Sequence, residues 1–166
     1  CVYQKNGILT MHYTPLPLNK SALKGAGTAQ DPYQLTCSND FKLIDNNPSA
    51  YYEVANDIDF LSIPFEGPKR AFTGKLDGKG HTLNNLCLMG RGLLSEVKDS
   101  AYITNINIKN PILLLSDKHL EMAAGILANS MQGGVDSAGV ASYALLSNIH
   151  VSNPVIKANG YKEIIG

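Results

Sequence analysis

The sequence has no tryptophan and few charged residues. Asp, Glu, Lys and Arg make up 17% of its 166 residues, whereas soluble domains carry about a quarter. Lys and Arg together number 14, as do Asp and Glu, so the formal net charge at pH 7 is zero. Binding to nucleic acid or to an anionic membrane surface needs a basic face. We therefore expect no nucleic-acid partner, and no membrane partner that is recruited by charge.

The sequence also lacks an apolar run long enough to span a membrane. It carries no signal peptide and begins at Cys1 rather than Met. Two interpretations of Cys1 stay open: it starts a segment of a longer chain, or it is the lipid-modified first residue of a processed bacterial lipoprotein. In the second case the polar, proline-bearing stretch from Asn6 to Lys24 is a tether, and a lipid on Cys1 is the only membrane contact we expect.

The other cysteines, Cys37 and Cys87, leave the redox compartment open. They can pair if their Cα atoms lie about 4.4–6.8 Å apart. The alternative, which we favour, is that both are small buried side chains without a disulfide.

The first half of the chain predicts strands around one short helix. Alternation predicts a strand at 33–35, and residues 36–38 supply N-cap candidates for a helix that ends before Pro48. Asp40 would lie in the first turn, where it favours the helix dipole. Because its apolar face is short (Phe41, Leu43 and Ile44), this helix suits a cap on the exposed end of a stack of strands.

Beyond Tyr51 the pattern changes to strands and turns. Apolar and polar residues alternate at 52–54 and 58–60. Residues 61–71 contain two prolines and a glycine and are predicted to be a loop, whereas Asp77-Gly78-Lys79-Gly80 is predicted to be a turn.

A repeated hexapeptide dominates the second half. It has the pattern apolar, polar, Asn, apolar, variable, apolar, and its copies begin at Leu83, Ile103 and Leu146. A second element, Gly-apolar-apolar, recurs at Gly92 and Gly125. Spacings of about twenty residues with insertions are typical of solenoids, in which stacked coils bury apolar side chains that one coil cannot bury alone.

This stacking would place the repeats in columns. We predict one inward column of Leu83, Ile103 and Leu146, and another of Leu86, Ile106 and Ile149. Between them, Asn85, Asn105 and Asn148 would occupy sharp bends, because Asn tolerates left-handed backbone geometry. Copies of Asn on neighbouring coils can hydrogen-bond each other as a ladder. Ligand binding by these asparagines is the alternative, which the ladder makes unnecessary.

Several segments resemble bacterial surface β-helices with GLUG-type repeats, including the β-helical region of IgA-peptidase-family proteins and related adhesins. The resemblance covers about residues 27–166 and lies in the segments 27–35, 51–60 and 72–86 and the Gly92 and Gly125 elements. It implies a secreted or surface-attached protein, often an adhesin or stalk. The repeat departs from the family pattern at an insertion, 129–143, and the peptidase part has no counterpart.

No catalytic motif is present. The sequence contains neither His-Glu-x-x-His nor Gly-x-Ser-x-Gly, and His119 lacks a second metal ligand at helical spacing. We predict no catalytic residue, metal or cofactor. The alternative is a polysaccharide lyase, hydrolase or tailspike-like β-helix. It predicts a groove along one face, in which two or more of Glu53, Asp57, Asp59 and Asp77 lie within several Å of each other.

Two regions are predicted to meet partners. The insertion is interpreted as a loop that contacts a protein or glycan through Met131, Gln132, Asp136 and Tyr143, with a disordered excursion as the alternative. Ile164-Ile165-Gly166 stops within a repeat. We therefore expect that a continuation of the chain or another chain covers this C-terminal edge.

The sequence thus predicts an all-β protein: a right-handed parallel β-helix over 27–166, incomplete at its C-terminal end, with one short N-terminal capping helix and an extension over 1–26. We expect a non-enzymatic binding or structural module on the outside of a bacterium or on its outer membrane, which a lipid on Cys1 would anchor.

Overall fold

The computed structural model describes residues 2–5, 8–11, 23–115, 125–135 and 137–158. Within these ranges the chain is all-β apart from one 3₁₀ helix, Ser38–Asn46, and no helix there is long and apolar enough to cross a membrane. The strands are β1 Val2–Lys5, β2 Ile8–Met11, β3 Tyr33–Leu35, β4 Tyr51–Val54, β5 Ile58–Asp59, β6 Pro64–Phe65, β7 Lys75–Asp77, β8 Thr82–Asn84, β9 Cys87–Met89, β10 Leu94–Lys98, β11 Tyr102–Lys109, β12 Ile112–Leu115, β13 Ala128–Gln132, β14 Gly134–Val135, β15 Ala141–Ser142, β16 Leu145–Ser152 and β17 Val155–Ala158.

Most of these strands pair in parallel with strands that are distant in sequence. The largest sheet has the order β3-β4-β7-β11-β8-β5, and β16 also pairs with β11. A second parallel sheet has the order β17-β12-β9-β6, and a third joins β10 to β13. The antiparallel pairs among the described strands are β1 with β2 and β14 with β15. The β1–β2 pair lies within the predicted N-terminal extension, 1–26.

The parallel registers place apolar side chains on top of one another. Tyr52 lies beside Leu76, Leu76 beside Ile103, and Ile103 beside Leu146. The first three of these side chains are at most 2% exposed. Two further buried columns contain Ile58, Leu83 and Ile108, and Phe65, Leu88 and Leu113. The core is therefore built from equivalent positions of successive segments.

The predicted columns are wrong in one interval. Ile103 pairs with Leu76 rather than Leu83, and Leu83 pairs with Ile108. The cause is that β11 is one continuous strand, whereas its length is matched on one side by two separate strands, β7 and β8. The hexapeptides at Leu83 and Ile103 are therefore similar motifs on different strands. The longer interval is correct, since Ile103 pairs with Leu146 and Ile106 with Ile149.

The short helix forms as predicted, although as a 3₁₀ helix. The Asp40 carboxylate accepts hydrogen bonds from the backbone N–H groups of Thr36 and Cys37, at 2.7 and 3.1 Å, which pins the chain just before the first turn. Phe41 and Ile44 are fully buried, and the Phe41 ring lies 5.9 Å from that of Phe60. The helix thus packs against the first strands of the stack.

Two local predictions need correction. The predicted loop 61–71 contains β6, because Phe65 joins the buried column of Leu88 and Leu113. Cys37 and Cys87 are both free thiols, as we favoured, but only Cys87 is buried. Cys37 is exposed because it is the extended residue immediately before the helix.

We expect Leu76→Ala to destabilise the protein strongly. Leu76 is 1% exposed and lies between Tyr52 and Ile103, so truncation leaves a cavity that costs about 2–5 kcal/mol. Chemical denaturation measures the loss. Ile63→Ala is the matched control, because Ile63 is 60% exposed and such changes usually stay within about 0.5 kcal/mol. Equal losses in the two variants would contradict the described core.

Candidate functional site

The repeated asparagines occupy left-handed bends, as predicted. Asn85, Asn105 and Asn148 have φ angles of 55°, 54° and 52°. Asn tolerates this region better than most residues because its short polar side chain can hydrogen-bond locally. Asn110 and Asn153 have the same geometry, with φ of 54° and 53°. In the sequence each of these two asparagines is followed by a proline. This repeated Asn-Pro pair lies outside the hexapeptide, so the hexapeptide pattern did not predict the two bends.

The asparagine side chains form two rows instead of one ladder. In the first row, the Asn148 amide donates to Asn105 Oδ1 at 2.8 Å, and the Asn105 amide donates to Asp77 Oδ1 at 3.0 Å. Asn85 is absent from this row, so the predicted ladder is wrong for Asn85. The reason is that Asn85 follows β8, whereas Asn105 lies in the part of β11 that continues the β7 segment.

The second row contains Asn85 and ends on another aspartate. Asn153 donates to Asn110 at 3.1 Å, Asn110 to Asn85 at 3.4 Å, and Asn85 to Asp59 at 3.0 Å. The Asn85 amide, followed by the Leu61 N–H, lowers the pKa of Asp59. Each row therefore ends on a carboxylate that accepts a hydrogen bond from an asparagine amide.

Asp57 has a separate set of contacts. Its Oδ1 accepts a hydrogen bond from the Thr82 N–H at 2.9 Å and lies 3.1 Å from His81 Nδ1. The Thr82 N–H, followed by the His81 side chain, lowers the pKa of Asp57. The carboxylates of Asp57 and Asp59 thus accept hydrogen bonds from residues at the two ends of β8. The four candidate carboxylates do not form one cluster.

The other two carboxylates line a groove on the outer face of the largest sheet. Tyr51, Lys75 and Tyr102 lie side by side on β4, β7 and β11, and Glu53, Asp77 and Thr104 form the adjacent column. The buried Tyr52, Leu76 and Ile103 lie between these columns in sequence, so both columns point away from the core. The groove encloses about 370 Å³. We name it the tyrosine groove and define it by Tyr51, Glu53, Lys75, Asp77, Lys79, Tyr102 and Thr104.

Charges in the tyrosine groove are paired. The Lys79 ammonium lies 3.6 Å from Glu53 Oε2 and 4.0 Å from Asp77 Oδ2, so the two carboxylates are close neighbours. The Gln34 amide also donates to Glu53. Lys75 lies 5.5 Å from the centre of the Tyr102 ring and donates to the Ser100 carbonyl at 2.8 Å. These contacts fix the positions of Glu53, Lys75 and Lys79 within the groove.

The groove combines tyrosine rings with carboxylate and ammonium groups. Beneath the outer columns, burial and the neighbouring Tyr33 raise the pKa of Tyr52 to about 12, and its hydroxyl donates to the Asn47 carbonyl at 2.7 Å. Tyr52 is therefore a neutral structural donor at physiological pH. Among the described residues, no group of three or more His, Cys, Asp or Glu side chains is placed to hold a metal ion.

The predicted contact loop is only partly a loop. Met131 and Gln132 lie on β13, which pairs in parallel with β10. This part of the predicted insertion is therefore a strand. Met131 is 43% exposed and Tyr143 is 76% exposed, just after the β14–β15 hairpin. Asp136 and Cys1, the predicted lipid site, lie outside the described residues.

Part of the chain is similar to a known protein. The chain is 32% identical to halomucin of Haloquadratum walsbyi in an alignment that covers 67% of this chain. The chain spans only 1% of the length of that protein. No protein-family model and no solved structure matches the chain.

We expect Asn105→Ala to cost more stability than Asn105→Gly. Alanine loses the contacts to Asp77 and Asn148 and strains the left-handed bend, whereas glycine loses only the contacts. Each hydrogen bond is worth about 0.5–1.5 kcal/mol and the strain about 1–2 kcal/mol. Equilibrium unfolding of both variants measures the difference. Equal losses would show that the backbone bend contributes nothing.

We expect Asp57→Asn to remove part of the acid dependence of stability. Because the folded state lowers the pKa of Asp57, its contribution is present above the unfolded pKa of about 3.9 and is lost as the pH falls through the folded pKa. The melting temperatures of wild type and variant should therefore differ at pH 6 and converge below about pH 4. Asp31→Asn is the matched control. A constant offset at every pH would contradict this assignment.

Proposed function

We propose that the chain is a right-handed parallel β-helix that acts as a non-enzymatic binding or structural module on the outside of the cell. The observation that carries this proposal is the in-register parallel pairing of segments distant in sequence. Such a stack presents rigid, repeating outward columns, which suit contact with a partner better than they suit chemistry at one point.

The path of the chain supports the β-helix. After β4 the chain visits β5, β6 and the Phe72 bridge to Val97, and after β7 it visits β8, β9 and β10 in the same relative positions. β11, β12 and β13 repeat this order, and β16 and β17 begin it again. Each round returns to the same sheet with parallel strands, and parallel crossovers are right-handed in about 98% of cases.

Two observations support a location at the surface or outside the cell. The segments 27–35, 51–60 and 72–86 resemble GLUG-type β-helices of surface proteins and adhesins, and the chain is similar to a part of halomucin. Bacterial origin, attachment to an outer membrane and a lipid on Cys1 are finer parts of the same proposal. They depend on the resemblance and on the identity of residue 1.

The exposed edge of the stack supports a polypeptide partner. Leu145, Val151, Val155 and Ile156 on β16 and β17 are 41–63% exposed. Among the described strands, β16 pairs with β11 and β17 with β12, so each has one unpaired side. We propose that further polypeptide, from this protein or from another chain, covers this edge.

A carbohydrate-active enzyme is the second candidate function. The observation that favours it is that Glu53 and Asp77 share the tyrosine groove near one ammonium. A glycosidase requires carboxylates on either side of the scissile bond. Here both belong to one column, and Lys79 lies close to each of them, which favours binding over cleavage.

We expect the protein to be accessible on intact cells. Antibody against the folded chain should label unpermeabilised cells of the source organism, and added protease should remove the label while a cytosolic marker stays intact. Mass spectrometry of the intact N-terminus then shows whether Cys1 is the first residue and carries a lipid. Protection of the chain until the cells are lysed would overturn the surface proposal.

A further inference from the structure

We infer that the tyrosine groove binds a neutral oligosaccharide that lies along the stacking direction of the strands. The inference deepens the proposed binding function and depends on it for its biological setting. It follows from three properties of the groove: its aromatic wall, its hydrogen-bonding wall and its balanced charge.

The aromatic wall has the dimensions of a short glycan. Tyr51 and Tyr102 occupy the same column on β4 and β11, with Lys75 of β7 between them. Adjacent strands lie about 4.8 Å apart, so the two tyrosine positions are about 9.6 Å apart. This separation is close to the length of a disaccharide. Tyrosine rings supply an apolar face for the C–H groups of a sugar and a hydroxyl for its rim.

The ring of Tyr102 is held in place before any ligand arrives. Lys75 lies over it at 5.5 Å and is itself tied to the Ser100 carbonyl at 2.8 Å. A side chain that is already ordered loses less conformational entropy on binding. The contact with Lys75 therefore orders the Tyr102 ring before binding.

The second wall supplies hydrogen-bond acceptors. Glu53, Asp77 and Thr104 lie two residues further along the same strands, about 6.6 Å from the aromatic column. Carboxylates accept strong hydrogen bonds from hydroxyl groups. A pyranose ring, which has an apolar face and a rim of hydroxyls, matches these two columns when it lies over both of them.

The balance of charge selects a neutral ligand. Lys75 and Lys79 offset Glu53 and Asp77, and Lys79 lies within 4.0 Å of both carboxylates. Glu53 and Asp77 would repel an acidic polysaccharide, and Lys75 and Lys79 would repel a cationic polymer. A peptide that binds by adding a strand needs an unpaired sheet edge, whereas the groove lies on the face of β4, β7 and β11, which pair with each other.

Calorimetric titration of the full chain tests the inference. The probes are neutral tetrasaccharides of glucose, mannose, galactose and N-acetylglucosamine, and tetragalacturonate as the acidic counterpart. We expect at least one neutral probe to bind and tetragalacturonate to bind at least tenfold more weakly. Tyr51→Ala and Tyr102→Ala should each weaken binding at least tenfold, and Glu53→Gln should weaken it severalfold.

Ile63→Ala is the control, because Ile63 is 60% exposed and lies outside the tyrosine groove. Its affinity should equal that of the wild type, and melting curves should show that every variant is folded. The inference is overturned if no neutral probe binds at millimolar concentration, if tetragalacturonate binds best, or if Ile63→Ala weakens binding as much as Tyr102→Ala.

The same samples separate this inference from the proposed function. Release of reducing ends from a bound probe would overturn the non-enzymatic proposal and leave the ligand class standing. Binding by a protein that proves to be intracellular would overturn the surface location alone. If the protein lies at the surface but binds no neutral probe, only the inferred ligand class is overturned.

Discussion

Parallel backbone pairing between segments distant in sequence is the constraint on which the rest of this structure depends. Many of its strands contain only two to four residues, such as β5, β6 and β7, and a strand that short contributes few hydrogen bonds. Each becomes stable because a strand of the next layer pairs with it in register. This register also places Tyr52, Leu76 and Ile103 in one column. Backbone pairing and core packing are therefore satisfied by the same alignment.

The asparagine rows stabilise the same strand register at the bends. Each row links successive layers through side-chain amides and ends on Asp77 or Asp59. Gly78 contributes by its size, because a Cβ atom there would lie 2.3 Å from the Asn105 carbonyl oxygen of the next layer. The bends therefore stack as closely as the strands that they connect.

Asp77 connects the structural rows to the tyrosine groove. Its Oδ1 accepts from the Asn105 amide and from the Lys79 N–H, whereas its Oδ2 faces the Lys79 ammonium. The turn that Asp77 stabilises thus holds Lys79 close to Glu53. The geometry of the groove is in this way set by the same turn that supports the stack, which explains why a rigid site can form on short strands.

The sequence by itself determined the features that depend on neighbouring residues. Alternation predicted β3 and β4, the pattern around Asp40 predicted the short helix, and Asn85, Asn105 and Asn148 were correctly predicted at left-handed bends, because φ preference is a local property. Only the tertiary structure decided which layers meet. Leu83-Asn84-Asn85 and Ile103-Thr104-Asn105 look equivalent locally, but β11 spans the length of both β7 and β8. The tyrosine groove depends on that register, since Tyr51, Lys75 and Tyr102 become neighbours only through pairing across the stack, and no local preference encodes the partner of a strand.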